Sequence, residues 1–171
     1  MQTELNLSPG EALRHAMRHW VTGITIVTSR LDDVAHGMTV NSFNSVSLEP
    51  PLVTVTMNND TRTHQLVTAS GVFAVTMLSE RQQDLAERFS RRMEPGVDRM
   101  ADLDTFTLVT GAPLIQGGLA FLDCKVVYTY PGPYSTLFIG EVVAAQSLDA
   151  GPGEDGPHPL LYHNRVFRRF M

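Results

Sequence analysis

Apolar positions along the chain recur with two different periods, and the switches between them mark the elements. From Pro9 the spacing is helical. Leu13, Met17 and Trp20 fall on one stripe, as in an amphipathic helix. Ser8-Pro9-Gly10-Glu11 opens it as a capping box with proline at the first helical position, predicting a helix through Trp20 with those three side chains buried. Thr22-Gly23 stops it, and the period drops to two. Ile24 to Thr28 reads as a strand, Asp32-Asp33 as a turn, and the stretch from His36 to Leu52 as the return strand, ended by Pro50-Pro51 because proline donates no ladder hydrogen bond. Alternation on that strand puts Thr39, Asn41, Phe43, Ser45 and Ser47 on one face and Met38, Val40, Val46 and Leu48 mainly on the other, predicting a short polar face over a core face. Gly37 marks an unusual backbone angle there or the close approach of a ligand.

Downstream, Val53 to Met57 alternates apolar and hydroxyl residues as a half-buried strand does. Asn58-Asn59-Asp60 offers a turn and helix cap, Thr61 to Ala69 a helix, and Gly71 its stop. Val72 to Leu78 is a continuous apolar run predicting a strand buried on both faces. Ser79-Glu80-Arg81-Gln82 is a second capping box, opening a helix with Leu85 and Phe89 on one face and its end at Phe89-Ser90. Arg91 to Thr105, with Pro95 and Gly96, predicts a loop with a helical turn around Val97 to Leu103. Phe106 to Val109, Leu119 to Tyr130 and Thr136 to Gln146 read as strands, the second with a wet face of Asp123, Lys125 and Thr129. Asp149 to Pro159 reads as a flexible connection, and Leu160 to Phe170 as a segment that closes the sheet. Short strands joined by hairpin turns, with helices inserted, predict a mainly β fold. It is expected as one domain over residues 1–171: an antiparallel barrel with peripheral helices.

Composition narrows the function. A net charge of -5 and the lack of a basic cluster interleaved with aromatics argue against nucleic-acid binding. A single cysteine, Cys124, excludes an intrachain disulfide and a multi-cysteine metal site, and suits a reducing cytoplasm. No apolar run reaches membrane-span length, and the polar start Met-Gln-Thr-Glu-Leu-Asn has no secretory pattern, so a cytoplasmic location is expected. The chain holds six histidines but no His-Glu-x-x-His. His15 and His19 read as helix-surface residues, and no metal is expected. Gly-x-Gly-x-x-Gly occurs once, at Gly151 to Gly156, in a connection rich in Pro and acids that precedes no convincing helix, and Gly-x-Ser-x-Gly is absent, which argues against a Rossmann dinucleotide site and a serine hydrolase elbow. What remains is the row of hydroxyls and an amide beside Phe43, suited to a planar polar ring or to a solvent-exposed strand face. The helix start at Thr61, with Arg62 and Thr63, is suited to a phosphate or to ordinary capping.

The run Gly-Met-Thr-Val-Asn-Ser-Phe-Asn-Ser-Val-Ser-Leu-Glu-Pro-Pro-Leu-Val beginning at Gly37 resembles the signature of the short-chain flavin reductase family, the NAD(P)H:flavin oxidoreductases that serve two-component monooxygenases. Further echoes follow in the family's order: Asn-Asn-Asp-Thr-Arg-Thr-His from Asn58, Leu-Ala-Glu-Arg-Phe-Ser from Leu85, Phe-Ile-Gly-Glu-Val from Phe138 and Pro-Leu-Leu-Tyr-His-Asn-Arg from Pro159.

That resemblance implies an FMN-binding split barrel of Greek-key type, pairing as a homodimer. It implies hydride transfer from NADH or NADPH to FMN or FAD, with no catalytic side chain of the protein's own, and release of reduced flavin to a separate monooxygenase component. Two alternatives stay open: a flavoprotein that keeps FMN tightly bound and acts on an organic substrate or another donor, and a non-enzymatic flavin-binding module. By resemblance, Thr39, Val40, Asn41, Ser42, Phe43, Ser45 and Val46 contact the flavin ring and ribityl chain, with Ser45 and Thr39 foremost. Asn58, Asn59, Arg62, Thr63 and His64 match the segment near the phosphate, and Phe89, Ser90 and Arg91 match a third segment. One departure concerns the nicotinamide. Where family members carry Gly-Asp-His, this chain has Pro133-Tyr134-Ser135, so Tyr134, Ser135, His163 and Arg165 become the nicotinamide candidates.

Overall fold

A computed structural model describes residues 7–91, 97–148 and 156–169. Helix α1 (Pro9–Ala16) begins at the Ser8 capping box and tightens into a 3-10 turn over Met17–His19. Short strand β1 (Thr22–Gly23) leads to the hairpin β2 (Thr25–Leu31) and β3 (Val34–Val40). After three residues come β4 (Asn44–Leu48) and β5 (Pro51–Asn58), then α2 (Arg62–Ser70), capped by Thr61 and stopped by Gly71 in the left-handed region at φ 71°. Strand β6 (Val72–Met77) follows, and the second capping box opens a 3-10 turn at Glu80–Gln82 that runs into α3 (Gln83–Ser90). The remaining strands are β7 (Thr105–Phe106), β8 (Leu114–Ile115), β9 (Ala120–Pro131), β10 (Ser135–Ser147), β11 (Leu161–His163) and β12 (Val166–Arg168).

The main sheet is antiparallel with strand order β3-β2-β6-β9-β10-β5-β4. Its two edges, β3 and β4, are consecutive in the chain and joined by Asn41, Ser42 and Phe43 alone. A flat sheet would separate those edges by six gaps of about 4.8 Å, roughly 29 Å, whereas the four steps from Val40 to Asn44 reach only about 14 Å. The sheet is therefore curled until its two edges lie within that reach. The Ser42 hydroxyl seals the seam, donating to the Thr56 carbonyl at 2.8 Å and accepting from the Thr56 amide at 3.2 Å. Val40 and Val53, from the two sides of the seam, share one core with Val27, Val55, Val75 and Phe138, and Val67 of α2 is buried in it.

A second core joins Ile26, Ala86 and Phe89 to Leu160, with Tyr162 and Phe167 packed against it. It fixes the β11–β12 hairpin beside α3 and β2. That hairpin pairs with β1 in a separate three-stranded sheet, so the C-terminal segment does not close the main sheet as its alternation suggests. The 149–155 connection and residues 170–171 lie outside the described residues.

Other expectations are corrected as well. The single strand expected from His36 to Leu52 is two strands on opposite edges. Past the break the alternation changes partners: Val46 and Leu48 are 54% and 85% exposed, because β4 is an edge strand with a register shift between Ser45 and Ser47. The missing side chain of Gly37 lets the Phe89 ring lie on β3, and a Cβ there would meet that ring at 3.0 Å. Asp123, expected on a wet face, is fully buried and accepts from the amides of Val109 and Thr110 at 2.7 Å each. That loop covers the face which alternation assigns to water. Of the strand expected over 106–109 only Phe106 belongs to β7, whose partner β8 the pattern misses. Leu13, Met17 and Trp20 are 62%, 52% and 64% exposed in the single chain; their stripe is real, but among the described residues nothing buries it.

Close packing across the barrel makes one glycine testable. A Cβ on Gly140 would sit 2.5 Å from Cζ of Phe73, a fully buried ring. Gly140→Ala is expected to cost about 1–3 kcal/mol by overpacking. Thermal unfolding reads this directly, and an unchanged midpoint would show that the core yields at no cost.

Candidate functional site

The seam residues are the natural starting point. Val40 is the last residue of β3 paired to β2 and Asn44 the first of β4 paired to β5, so Asn41, Ser42 and Phe43 lie outside both ladders. Two cavities open against them. The smaller, about 390 Å³, is lined by Ile24, Thr39, Val40, Asn41, Ser90, Tyr162, Arg165 and Phe167. The larger, about 670 Å³, lies between α1 with its 3-10 turn, the seam (Asn41, Ser42, Phe43 and Asn44) and the β11–β12 turn. Asn41, Tyr162 and Arg165 line both, so the two adjoin.

Several hydroxyls that the sequence offers to a ligand are already engaged by the scaffold. Thr39 Oγ1 donates to the Ala86 carbonyl at 2.7 Å, tying β3 to α3. Ser42 closes the seam, and Ser90 Oγ donates to the Glu87 carbonyl at 2.9 Å. Their oxygens can still accept, since a hydroxyl carries two lone pairs. Phe89 is core rather than lining, and Arg91 is exposed in an ion pair with Glu87 at 3.0 Å. Ser45 and Val46 are exposed on β4 and line neither cavity.

The segment from Asn58 to His64 is gathered elsewhere, against the β9–β10 turn. Asn59 donates its side-chain amide to the Gly132 carbonyl at 3.0 Å and its backbone amide to the Tyr134 carbonyl at 3.0 Å. Thr136 Oγ1 lies 2.9 Å from both Asn59 Oδ1 and His64 Nε2. Tyr134 is 85% exposed and Ser135 pairs with Asn58, so the structure brings two nicotinamide candidates together with this segment and away from Arg165. His163 lines a third cavity with His15, Arg18 and His19. Thr63 is fully buried against His36, its Oγ1 2.9 Å from Nδ1. At the start of α2 the Thr61 hydroxyl accepts from the His64 amide at 3.3 Å, and Arg62 is exposed beside it.

Sequence reasoning passes over four contributors. Tyr162 lines both cavities, and Arg14 and Arg18 line the larger one; their four-residue spacing is the signal that marks a shared helix side. Arg99, almost wholly buried, donates through Nη1 to the Phe89 carbonyl at 2.8 Å and through Nη2 to the Arg91 carbonyl, gripping the chain on both sides of Ser90. Among the described residues no three His, Cys, Asp or Glu side chains converge as for a metal, and no helix is long and apolar enough to cross a membrane.

Comparison with known proteins gives this arrangement its kin. A family model described as a flavin reductase like domain matches residues 17–171. The chain belongs to that family. It is 39% identical over 160 residues to an NADH-dependent FAD reductase of Streptomyces globisporus, covering 92% of this chain and 84% of that protein. It is 37% identical over 150 residues to the reductase subunit of a flavin-dependent monooxygenase of Mycobacterium tuberculosis, covering 88% and 76%. Among solved structures, the Streptomyces globisporus C-1027 NADH:FAD oxidoreductase superposes with a TM-score of 0.87 at 36% identity, over 100% of this chain and 99% of that one. A second structure of that enzyme, described as a complex with NAD and FAD fragments, superposes at 0.84 with 35% identity, over 99% and 98%. The fold is thus the split barrel of the flavin reductases.

His36 gives the site a pH signature. Burial, then Arg99 and Arg62, lower its pKa from 6.5 to about 4, with Asp98 opposing. The unfolded chain therefore binds more protons between those values, and stability present above pH 6.5 is lost as pH falls toward 4. His36→Gln is expected to flatten that part of the stability–pH curve. Denaturant unfolding at pH 7, 5.5 and 4.5 measures it, and an equal slope in both proteins would show that His36 is not the group responsible.

Proposed function

We propose that this chain is an NAD(P)H:flavin oxidoreductase that uses NADH, reduces FAD or FMN, and hands the reduced flavin to a separate monooxygenase component. One observation carries the proposal: two adjoining cavities share Asn41, Tyr162 and Arg165, which is what a reaction between two ring systems needs. The relatives' names, an NADH-dependent FAD reductase and an NADH-dependent flavin reductase among them, supply the choice of partners.

The reaction moves a hydride from NADH to oxidised flavin, one proton coming from solvent, and leaves NAD+. It needs no protein nucleophile; the chemistry belongs to the two cofactors and the chain supplies orientation. The backbone amides of Asn41, Ser42 and Phe43, free of both ladders, are suited to donate to the carbonyl edge of a flavin ring, with the Asn41 side chain and the Ser90 oxygen as directional partners from two sides. Arg99 positions Ser90 by holding the carbonyls of Phe89 and Arg91. Arg62 and the α2 N-terminus are suited to a flavin phosphate. We read residues 1–171 as one domain, cytoplasmic, and as a homodimer, supported by the exposed Val127, Tyr128 and Tyr130 along β9.

Steady-state oxidation of NADH and NADPH with FAD, FMN and riboflavin in turn tests the reading. NADH oxidation above the free-flavin background is expected, with riboflavin the weakest binder. Asn41→Ala is expected to raise the flavin Kd about 5- to 150-fold, the cost of one hydrogen bond to a buried partner. Oxidation of neither nicotinamide with any flavin would sink the reductase reading. Flavin retained through desalting would then favour a flavoprotein with another donor, and reversible flavin binding a non-enzymatic module.

A further inference from the structure

The larger cavity carries charge that hydride transfer itself does not require. Arg14 and Arg18 enter it from α1 and the 3-10 turn, Arg165 from the β11–β12 turn, and no acidic side chain lines it. Among the described residues none of these three guanidiniums is recorded in an ion pair. Glu11, a turn before Arg14, is held by the amide and hydroxyl of Ser8 at 3.0 and 2.7 Å.

Arg165 adds an independent observation. It and Asn164 form the two-residue turn between β11 and β12 with φ of 64° and 49°. Glycine is favoured at the second position of such a turn, because a side chain in the left-handed region is strained. An arginine held there, at the junction of both cavities, points to a use for its guanidinium that outweighs the strain.

We infer that this cavity binds the diphosphate of a dinucleotide, with Arg14 and Arg18 as its paired cationic donors and Arg165 at the junction with the flavin cavity. Guanidinium forks match diphosphate oxygens in shape and charge. The inference rests on the reductase reading, in which NADH and FAD both carry this group. NADH is the assigned source, since its nicotinamide must reach the ring in the smaller cavity.

Trp20, the chain's one tryptophan, lines the same cavity, so its fluorescence reports occupancy without turnover. Titration of the full chain with ADP-ribose, which has the diphosphate and no nicotinamide, is expected to change that emission saturably. Arg14→Gln and Arg18→Gln should each raise the ADP-ribose Kd about 10-fold or more and raise the KM for NADH, with the FMN Kd unchanged. Arg165→Gly should weaken ADP-ribose binding as well, while its thermal midpoint stays level or rises because the turn relaxes; a purely structural arginine would not separate the two. A rise in the FAD Kd alone, with the NADH KM unmoved, would overturn the assignment to NADH. Equal ADP-ribose binding in all four proteins would overturn the site itself. Arginine-dependent ADP-ribose binding without NADH oxidation would sustain the cavity and reject the reductase reading.

Discussion

Everything in this molecule depends on a three-residue crossing. Asn41, Ser42 and Phe43 must carry the chain from one edge of a seven-stranded sheet to the other, and chain length forbids this unless the sheet has closed on itself. Curling brings the two edges near each other without pairing them, so β3 and β4 remain edge strands. It also leaves three residues whose backbone belongs to no ladder, placed where strand order brings distant elements together. The barrel's weak point in hydrogen-bonding terms is thus the place where a ligand's donors and acceptors can be met.

Rigidity at that seam comes from polar groups used twice. Thr39 ties β3 to α3, Ser42 joins the crossing to β5, and Arg99 clasps the end of α3 through two carbonyls. Each of these groups secures the scaffold while leaving the wall it belongs to facing a cavity. Lining residues locked by their own hydrogen bonds lose little conformational freedom when a ligand arrives, which is how a site becomes pre-organised. The hydrophobic counterpart is Gly37, whose missing side chain lets Phe89 set α3 directly on β3.

Local chemistry was legible in the sequence wherever it was self-contained. The Ser8 capping box, the Gly71 stop and the doubly buried β6 follow from neighbouring residues and appear as expected. The motif at Gly37 carried the family and with it the barrel. What the sequence hides is partnership at long range. Alternation shows that Val46 and Leu48 differ from their neighbours, but not that a break and a bulge turn them outward on an edge. The stripe of Leu13, Met17 and Trp20 reveals a helix without revealing whether anything covers it. Asp123 looks like a surface acid until the loop at Val109 and Thr110 is laid over it. Arg14 and Arg18 look like solvated charges until the β11–β12 turn brings Arg165 opposite.

The closed seam also has a consequence for how the chain folds. Hairpins β2–β3, β4–β5 and β9–β10 join near neighbours, whereas β10 must find β5 across some eighty residues, from Asn58 to Ser135. Non-local pairings are slow because loop-closure entropy is lost before their contacts form. The hairpins are therefore the units that can form early, and the crossing at Asn41 to Phe43 acquires its final shape only when the last pairings close the ring. If, as proposed, a nucleotide binds at that crossing, it recognises only the folded barrel, so by mass action it raises the stability of the whole chain rather than of one loop. On the proposed reading, cofactor supply and the lifetime of the folded protein would be coupled through the same three residues.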